Sequence, residues 1–190
     1  MTRTGLCVDI QKFEGLDLLC KEEEVIHQIV RKLDKTLKFD EAKAHCDIPC
    51  GIYDPIGAQI GALTVIRMID LVAELEKSHP ERDPEFLNNF ARYIAVKEQH
   101  AEKCKQEIRT IWGDYFKPDH LEKYPELNKL VHEIMELSSK AKQHVGRSTG
   151  LDLLKAVNRF AQIFWETKGI ETKSAKAPYE PGEKVVYPVR

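Results

Sequence analysis

The sequence predicts an all-α protein in which an antiparallel four-helix bundle follows a short non-helical hook. Four segments between residues 56 and 168 carry apolar side chains at the i, i+3 and i+4 spacing of amphipathic helices. The links between these segments are only a few residues long, so neighbouring helices should run antiparallel and pack side by side. The alternation of apolar and polar residues that is typical of strands does not occur before the last residues of the chain.

The first two helices have clear start signals. The first is predicted over residues 56–77, because Pro55 suits a helix start, where its missing N–H is not needed. The second is predicted over residues 84–112, with Asp83 as the N-cap and Pro84 at the first helical position. The apolar face of each helix should contribute to the core of the bundle.

The last two helices are delimited by glycines. The third is predicted over residues 122–145 and ends at Gly146. The fourth should be capped by Ser148 or Thr149 and should stop at Gly169. We therefore expect the bundle to occupy residues 55–169.

The bundle is flanked by segments of different character. Residues 1–44 form a charged leader that contains an amphipathic stretch at residues 22–37, and the hook occupies residues 45–54. The tail, residues 170–190, contains three prolines and should therefore be extended. Valines and a tyrosine at residues 185–187 predict that the tail packs on another surface, for example that of a neighbouring subunit.

Composition limits the class of protein. A formal net charge of -2 gives no basic field for nucleic acid, and no apolar run has the length of a membrane span. Five cysteines, an odd number, argue against a disulfide scaffold. The charged first residues do not resemble a secretory signal. We therefore expect a cytoplasmic protein with reduced thiols and no nucleic-acid or membrane partner.

The hook concentrates potential metal ligands. The imidazole of His45, the thiols of Cys46 and Cys50, and the backbone itself fall within six residues. Soft thiolates beside an imidazole select transition metals over calcium or magnesium. A structural zinc site needs two separated ligand pairs, and the sequence shows no second pair. A thioredoxin-like motif has two residues between its cysteines, whereas here there are three.

The adjacency of His45 and Cys46 favours a planar site. A cut before His45 would free an α-amine that forms a chelate ring with the backbone nitrogen of Cys46. Pro49 and Gly51 favour a tight turn that returns Cys50 to the same centre. Amine, amidate and two thiolates then form the tetragonal plane that Ni(II) or Cu(II) accepts, with the imidazole of His45 as an axial ligand.

The hook resembles the mature amino terminus of nickel superoxide dismutases, and the resemblance extends over residues 45–168. The stretches that carry it are His45-Cys46-Asp47-Ile48-Pro49-Cys50-Gly51-Ile52-Tyr53-Asp54-Pro55, Lys97-Glu98-Gln99, Trp112-Gly113-Asp114-Tyr115-Phe116-Lys117-Pro118, Glu122-Lys123-Tyr124-Pro125-Glu126-Leu127 and Ile163-Phe164-Trp165-Glu166-Thr167-Lys168. The resemblance implies a homohexamer of four-helix-bundle subunits with one nickel ion each. It also implies disproportionation of superoxide to dioxygen and hydrogen peroxide through Ni(II) and Ni(III), after a dedicated peptidase removes the leader.

Five hook residues are the predicted site. His45, Cys46 and Cys50 are the predicted nickel ligands. By resemblance, Tyr53 stands over the open face of the metal and limits access to small anions, while Asp47 holds the shape of the hook through hydrogen bonds. The alternative for Tyr53 is a packed aromatic residue at a helix start, and for Asp47 a local turn cap.

The sequence departs from the family in the groups that orient the axial histidine. Other members place a glutamate in the first helix and an arginine in the second, where this chain has Gly61 and His100. His100 either substitutes for that partner or is an ordinary helical histidine. Lys117 either attracts the superoxide anion or is solvated, and Cys104 is expected to be a buried thiol rather than a ligand.

Two functions compete with the enzyme. One is a non-catalytic metal-binding or storage module, or an unprocessed and inactive precursor, because the chain begins well upstream of His45. The other is a thiol redox sensor that uses Cys46 and Cys50 without a metal. Nickel content and superoxide-consuming activity distinguish the enzyme from both.

Overall fold

Helices dominate residues 51–189, the part of the chain that the computed structural model describes. The elements are α1 (Ile56–Ser78), α2 (Pro84–Thr110), a π-helical turn (Ile111–Tyr115), α3 (Pro118–Lys123), α4 (Leu127–Gln143), α5 (Arg147–Thr167), β1 (Thr172–Lys176) and β2 (Lys184–Pro188). α1 packs against α2 and α5, and α4 packs against the same two helices. The four long helices confirm the predicted bundle. The leader and residues 45–50 of the hook lie outside the described residues.

The start of α2 follows its sequence signal closely. The Asp83 side chain accepts a hydrogen bond of 2.7 Å from the backbone N–H of Phe86, and Pro84 occupies the first turn. α1 likewise starts directly after Pro55. Pro55, and Asp83 with Pro84, therefore predict these two helix starts correctly.

The predicted third helix is interrupted. Residues 122–145 form the end of α3 and all of α4, separated at Tyr124, whose φ of -125° and ψ of 73° are not helical. The physical reason is Pro125, because a proline disfavours the helical conformation in the residue before it. α5 also starts earlier than predicted, with Gly146 rather than Ser148 or Thr149 at its N-cap.

The core lies between the four long helices. Its fully buried members include aromatic and branched side chains from each of these helices: Ile66, Ile108, Ile134, Phe160 and Phe164. By length and composition alone α1 would also suit a membrane span, but half of that stretch is buried inside the bundle. Core packing accounts for the apolar character of α1.

One lysine is part of this interior. Lys97 of α2 is only 1% exposed, and its Nζ donates hydrogen bonds to the carbonyls of Ala141, Lys142 and His144 at 2.7, 3.0 and 2.8 Å. These carbonyls lie at the carboxyl end of α4, where backbone acceptors have no partner within the helix. Burial lowers the pKa of Lys97, and the charge of Glu98 opposes that shift. Lys97 therefore caps α4 from a neighbouring helix.

The tail forms an antiparallel hairpin on its own subunit. Strands β1 and β2 pair from Thr172 opposite Pro188 to Lys176 opposite Lys184. Val185 and Val186 are buried. Gln59 Nε2 of α1 donates to the carbonyl of Val186 at 3.0 Å. The surface on which residues 185–187 pack is therefore the bundle of the same chain.

Candidate metal centre and its surroundings

The structure describes one of the five predicted site residues. His45, Cys46, Asp47 and Cys50 lie outside the described residues, whereas Tyr53 lies between Gly51 and the start of α1. Gly51 has a φ of +69°, which favours glycine. Gly51, the residue after Cys50 in the sequence, thus has a left-handed backbone conformation.

Tyr53 is half-buried against an aromatic cluster. Its ring centroid lies 5.9 Å from that of Tyr115 at an interplanar angle of 54°, and Tyr115 packs on Phe164 at 4.7 Å. The hydroxyl of Tyr115 is hydrogen-bonded to Thr167 Oγ1 at 2.8 Å. Because Tyr115 is fixed at both its ring and its hydroxyl, it provides a rigid wall for Tyr53. This contact supports a packed role for Tyr53 and does not conflict with a second role at the metal.

Tyr115 reaches this position through the π-helical turn. The sequence predicts an ordinary helix to residue 112, but the chain continues as a π-helix over Ile111–Tyr115. Such turns are rare and are frequently found at functional sites. Sequence reasoning did not assign a role to Tyr115, although it lies in a stretch that carries the family resemblance. The signal in the sequence was the pair of aromatic residues Tyr115 and Phe116, which follows shortly after Gly113.

A lysine and a histidine pack against the ring of Tyr115. Lys168 Nζ lies 5.1 Å from the ring centroids of both Tyr115 and Phe164, within the range of a cation–π interaction. The ring of His120 stacks on Tyr115 at 5.6 Å and 18°. Its Nδ1 accepts a hydrogen bond from the backbone N–H of Lys117 at 3.2 Å, so the proton of the neutral ring is on Nε2. The region near Tyr53 therefore carries positive charge from Lys168.

Lys117 also lies in this region. Its Nζ donates to the carbonyl of Asp114 at 3.0 Å, and the side chain is exposed. An exposed ammonium held at the surface is compatible with attraction of an anion.

Gly61 and His100 face each other where α1 and α2 approach closely. A Cβ on Gly61 would lie 3.0 Å from the backbone oxygen of His100 and 3.2 Å from Cys104 Cβ. A glutamate at this position would therefore require the helices to move apart. His100 Nδ1 lies 2.9 Å from the carbonyl of Val96, so this nitrogen donates within its own helix. Only Nε2 of His100 is left for any other partner.

A carboxylate lies at the amino end of α1. The Glu107 side chain of α2 approaches to 3.1 Å from the position that a Cβ on Gly57 would occupy. The first turn of α1 contains no acidic residue of its own. The Asp54 carboxylate accepts a hydrogen bond of 2.8 Å from the backbone N–H of Ile56, and Glu107 adds a second negative charge near the positive end of the helix dipole. The closeness of Glu107 to Gly57 was not apparent from the sequence.

Cys104 is a buried thiol, as predicted. The side chain is 0% exposed, and burial raises the pKa of the thiol to about 12. Within residues 51–189, no group of three His, Cys, Asp or Glu side chains is arranged to hold a metal ion.

Comparison with known proteins gives one consistent result. The sequence profile of the nickel-containing superoxide dismutases matches residues 40–168. The chain is 43% identical over 125 residues to superoxide dismutase [Ni] of Streptomyces coelicolor, covering 66% of this chain and 88% of the relative. It is 39% identical over 128 residues to superoxide dismutase [Ni] of Streptomyces seoulensis, covering 67% and 91%.

Solved structures agree with the sequence comparison. A native nickel superoxide dismutase structure is 42% identical, with a TM-score of 0.55, and the match covers 65% of this chain and 99% of that one. The structure of an oxidised nickel superoxide dismutase matches with a TM-score of 0.55 at 41% identity, over 66% and 99% of the two chains. The matched profile includes the hook as well as the bundle. The chain therefore belongs to the nickel-containing superoxide dismutase family.

Proposed function

We propose that His45, Cys46 and Cys50 hold the nickel ion of this superoxide dismutase. The observation that carries the proposal is the family match, which begins at residue 40 and therefore includes these three residues. The donor set would suit nickel, because thiolates beside nitrogen donors select transition metals. The imidazole of His45 would be a further nitrogen donor.

The chemistry divides between the metal and the chain. The bound nickel supplies a one-electron couple between Ni(II) and Ni(III). Two superoxide anions and two protons give one dioxygen and one hydrogen peroxide. Lys117 and Lys168 contribute positive charge that raises the local concentration of the anionic substrate. Tyr53, which packs against Tyr115, allows only small anions to reach the metal. Asp47 holds the conformation of the hook through hydrogen bonds.

The proposal includes processing and assembly. A peptidase removes the leader, residues 1–44, and the new α-amine of His45 would be a further donor to the nickel. The processed subunits form a cytoplasmic homohexamer. The match supports the division of the chain, because it covers 88–91% of the two relatives but only 66–67% of this chain. Residues 1–39 lie outside the matched profile.

The competing functions are less well supported. The chain matches two superoxide dismutases over 88% and 91% of their lengths. A storage module or an inactive precursor does not explain this match better than an enzyme does. A redox sensor based on Cys46 and Cys50 predicts a reversible disulfide and no dependence of activity on nickel.

A cysteine substitution tests the ligand assignment. Nickel content and superoxide consumption are measured for the processed wild-type protein and for Cys46→Ser. We expect about one nickel per chain in the wild type and loss of both nickel and activity in the variant, because a thiolate ligand is removed. Cys104→Ala, at a cysteine that the processed chain retains outside the hook, is the matched control and should leave both values unchanged. Full activity of Cys46→Ser would refute the proposed ligand set.

A further inference from the structure

The β-hairpin and α5 enclose a groove between them. Its volume is about 700 Å³, which is within the range of small-molecule sites. Leu154 and Val186 form an apolar floor, and Ser174 and Gln162 add polar side chains. The hairpin lies beyond residues 40–168, so one wall of this groove is built by a segment outside the family match.

Two lysines of the hairpin lie side by side at this groove. The register places Lys176 directly opposite Lys184, and both line the groove. Directly opposite residues project from the same face of the sheet, and like charges in such a pair destabilise it. Gly182 leaves space for one of them, because a Cβ there would lie 2.7 Å from Cε of Lys176. The hairpin therefore places two positive charges on one face of the sheet, and their repulsion lowers the stability of the strand pair.

A third ammonium comes from the opposite wall. Lys155 of α5 lines the same groove. None of the ion pairs formed within residues 51–189 involves Lys155, Lys176 or Lys184. Within the described part of the chain, three positive charges thus converge on one groove without a carboxylate partner.

The other charged residues of the groove are already paired. Glu183 accepts a hydrogen bond of 2.8 Å from Arg147, which also binds Asp70. Arg159 donates to Glu126 at 2.8 Å. The carboxylate of Glu183 is therefore committed to Arg147. Four basic residues and one acidic residue line the groove, so these lining residues carry a formal net charge of +3.

We propose that this groove binds a small anion that carries two or more phosphate groups. Lysines on both walls suit a ligand with several negative groups, since charge-assisted hydrogen bonds to phosphate are the strong ones. Binding would also relieve the repulsion between Lys176 and Lys184. The residues named for this groove include none of the proposed nickel ligands.

Calorimetry with tripolyphosphate and with ATP tests the proposal. The full-length protein is titrated at low salt in a magnesium-free buffer. We expect saturable binding of one tripolyphosphate per chain, weakened at least about tenfold in the double variant Lys176→Gln, Lys184→Gln, because two charged hydrogen bonds are lost. Lys173→Gln is the matched control on the other face of β1 and should change the Kd less than about twofold, as expected for an exposed charge.

The two probes separate the possible sources of phosphate. Equal Kd values indicate that the phosphates alone are recognised, and tighter binding of ATP indicates an added contact of the base with the apolar floor; both support the proposal. Circular dichroism verifies folding of the double variant, and Lys155→Gln tests the same groove from α5 if that variant does not fold. The proposal is overturned if neither probe binds saturably, or if Lys173→Gln weakens binding as much as the double variant.

Discussion

At the residue scale, Tyr115 provides a fixed surface against which Tyr53 packs. Its ring contacts Tyr53 and Phe164, and its hydroxyl is hydrogen-bonded to Thr167. Tyr53 precedes the first helix and depends on such neighbours for a fixed position. We expect the hydroxyl of Tyr115 to act by fixing the position of the ring against which Tyr53 packs.

Tyr115→Phe should reduce stability slightly and activity moderately. The variant keeps the ring contacts but loses the hydrogen bond to Thr167, which is worth about 0.5–1.5 kcal/mol. Urea unfolding and superoxide consumption measure the two effects. Tyr179→Phe, in the exposed part of the tail, is the control. An unchanged free energy of unfolding for Tyr115→Phe would show that the hydroxyl is equally well bonded to water.

Cys104 predicts a pH dependence of stability. The pKa of the folded thiol is about 12 against an ordinary value of 9.0, so above pH 9 the unfolded chain releases a proton that the folded chain retains. Fewer protons bound in the unfolded state mean that stability falls as pH rises from 9 towards 12, by at most about 1.4 kcal/mol per pH unit. Below pH 9 this contribution does not change.

The measurement is urea unfolding at several pH values from 8 to 10.5, as the difference between the wild type and Cys104→Ala. Other titrating groups are common to both proteins and cancel. The difference in unfolding free energy between them should shrink as the pH rises. A difference that is constant across this range would contradict the raised pKa.

At the scale of secondary-structure elements, α4 depends on α2 for its carboxyl end. Lys97 donates to three carbonyls there, so Lys97→Met should leave these acceptors without their partner. We expect a loss of about 2–3 kcal/mol in the free energy of unfolding, because buried unpaired acceptors are costly. Urea unfolding measures it. Lys103→Met, at an exposed position of α2, is the matched control and should change stability by less than about 0.5 kcal/mol.

Local chemistry explains which elements could be predicted. Asp83 with Pro84 defines the start of α2 within the sequence itself, and the structure shows the same cap. The break at Tyr124 was missed because the apolar spacing continues across it, although Pro125 gave a local warning. Pairing of the hairpin depends on contacts with α1 and α5, which no local pattern encodes.

The candidate site could likewise be predicted only in part from the sequence. The ligand types and their spacing were readable from residues 45–50, because chelation by adjacent residues is a local property. The wall formed by Tyr115 and Lys168 was not readable, because it joins residues that are far apart in sequence through packing. The close approach of α1 and α2 at Gly61 likewise required the structure.

At the scale of the whole molecule, processing and assembly can be measured together. Native mass spectrometry of protein from its natural host should show six subunits, each beginning at His45 and each carrying one nickel ion. Without the free amine of His45 the proposed nickel site would lack one nitrogen donor, so the unprocessed chain should be inactive. An active, nickel-loaded protein that still begins at Met1 would contradict the proposed processing.

The hydrogen bonds of Gln59 and Asn158 lead to an expectation about the sequences of other family members. The two side-chain amides bond to each other and to backbone groups of Val186 and Lys184 at the end of the molecule. A homologue that stops at the close of its last bundle helix has no peptide backbone to satisfy such amides and should carry apolar or solvated residues instead. The identity of two positions inside the bundle would then reveal, from sequence alone, which members of the family possess the extra strands.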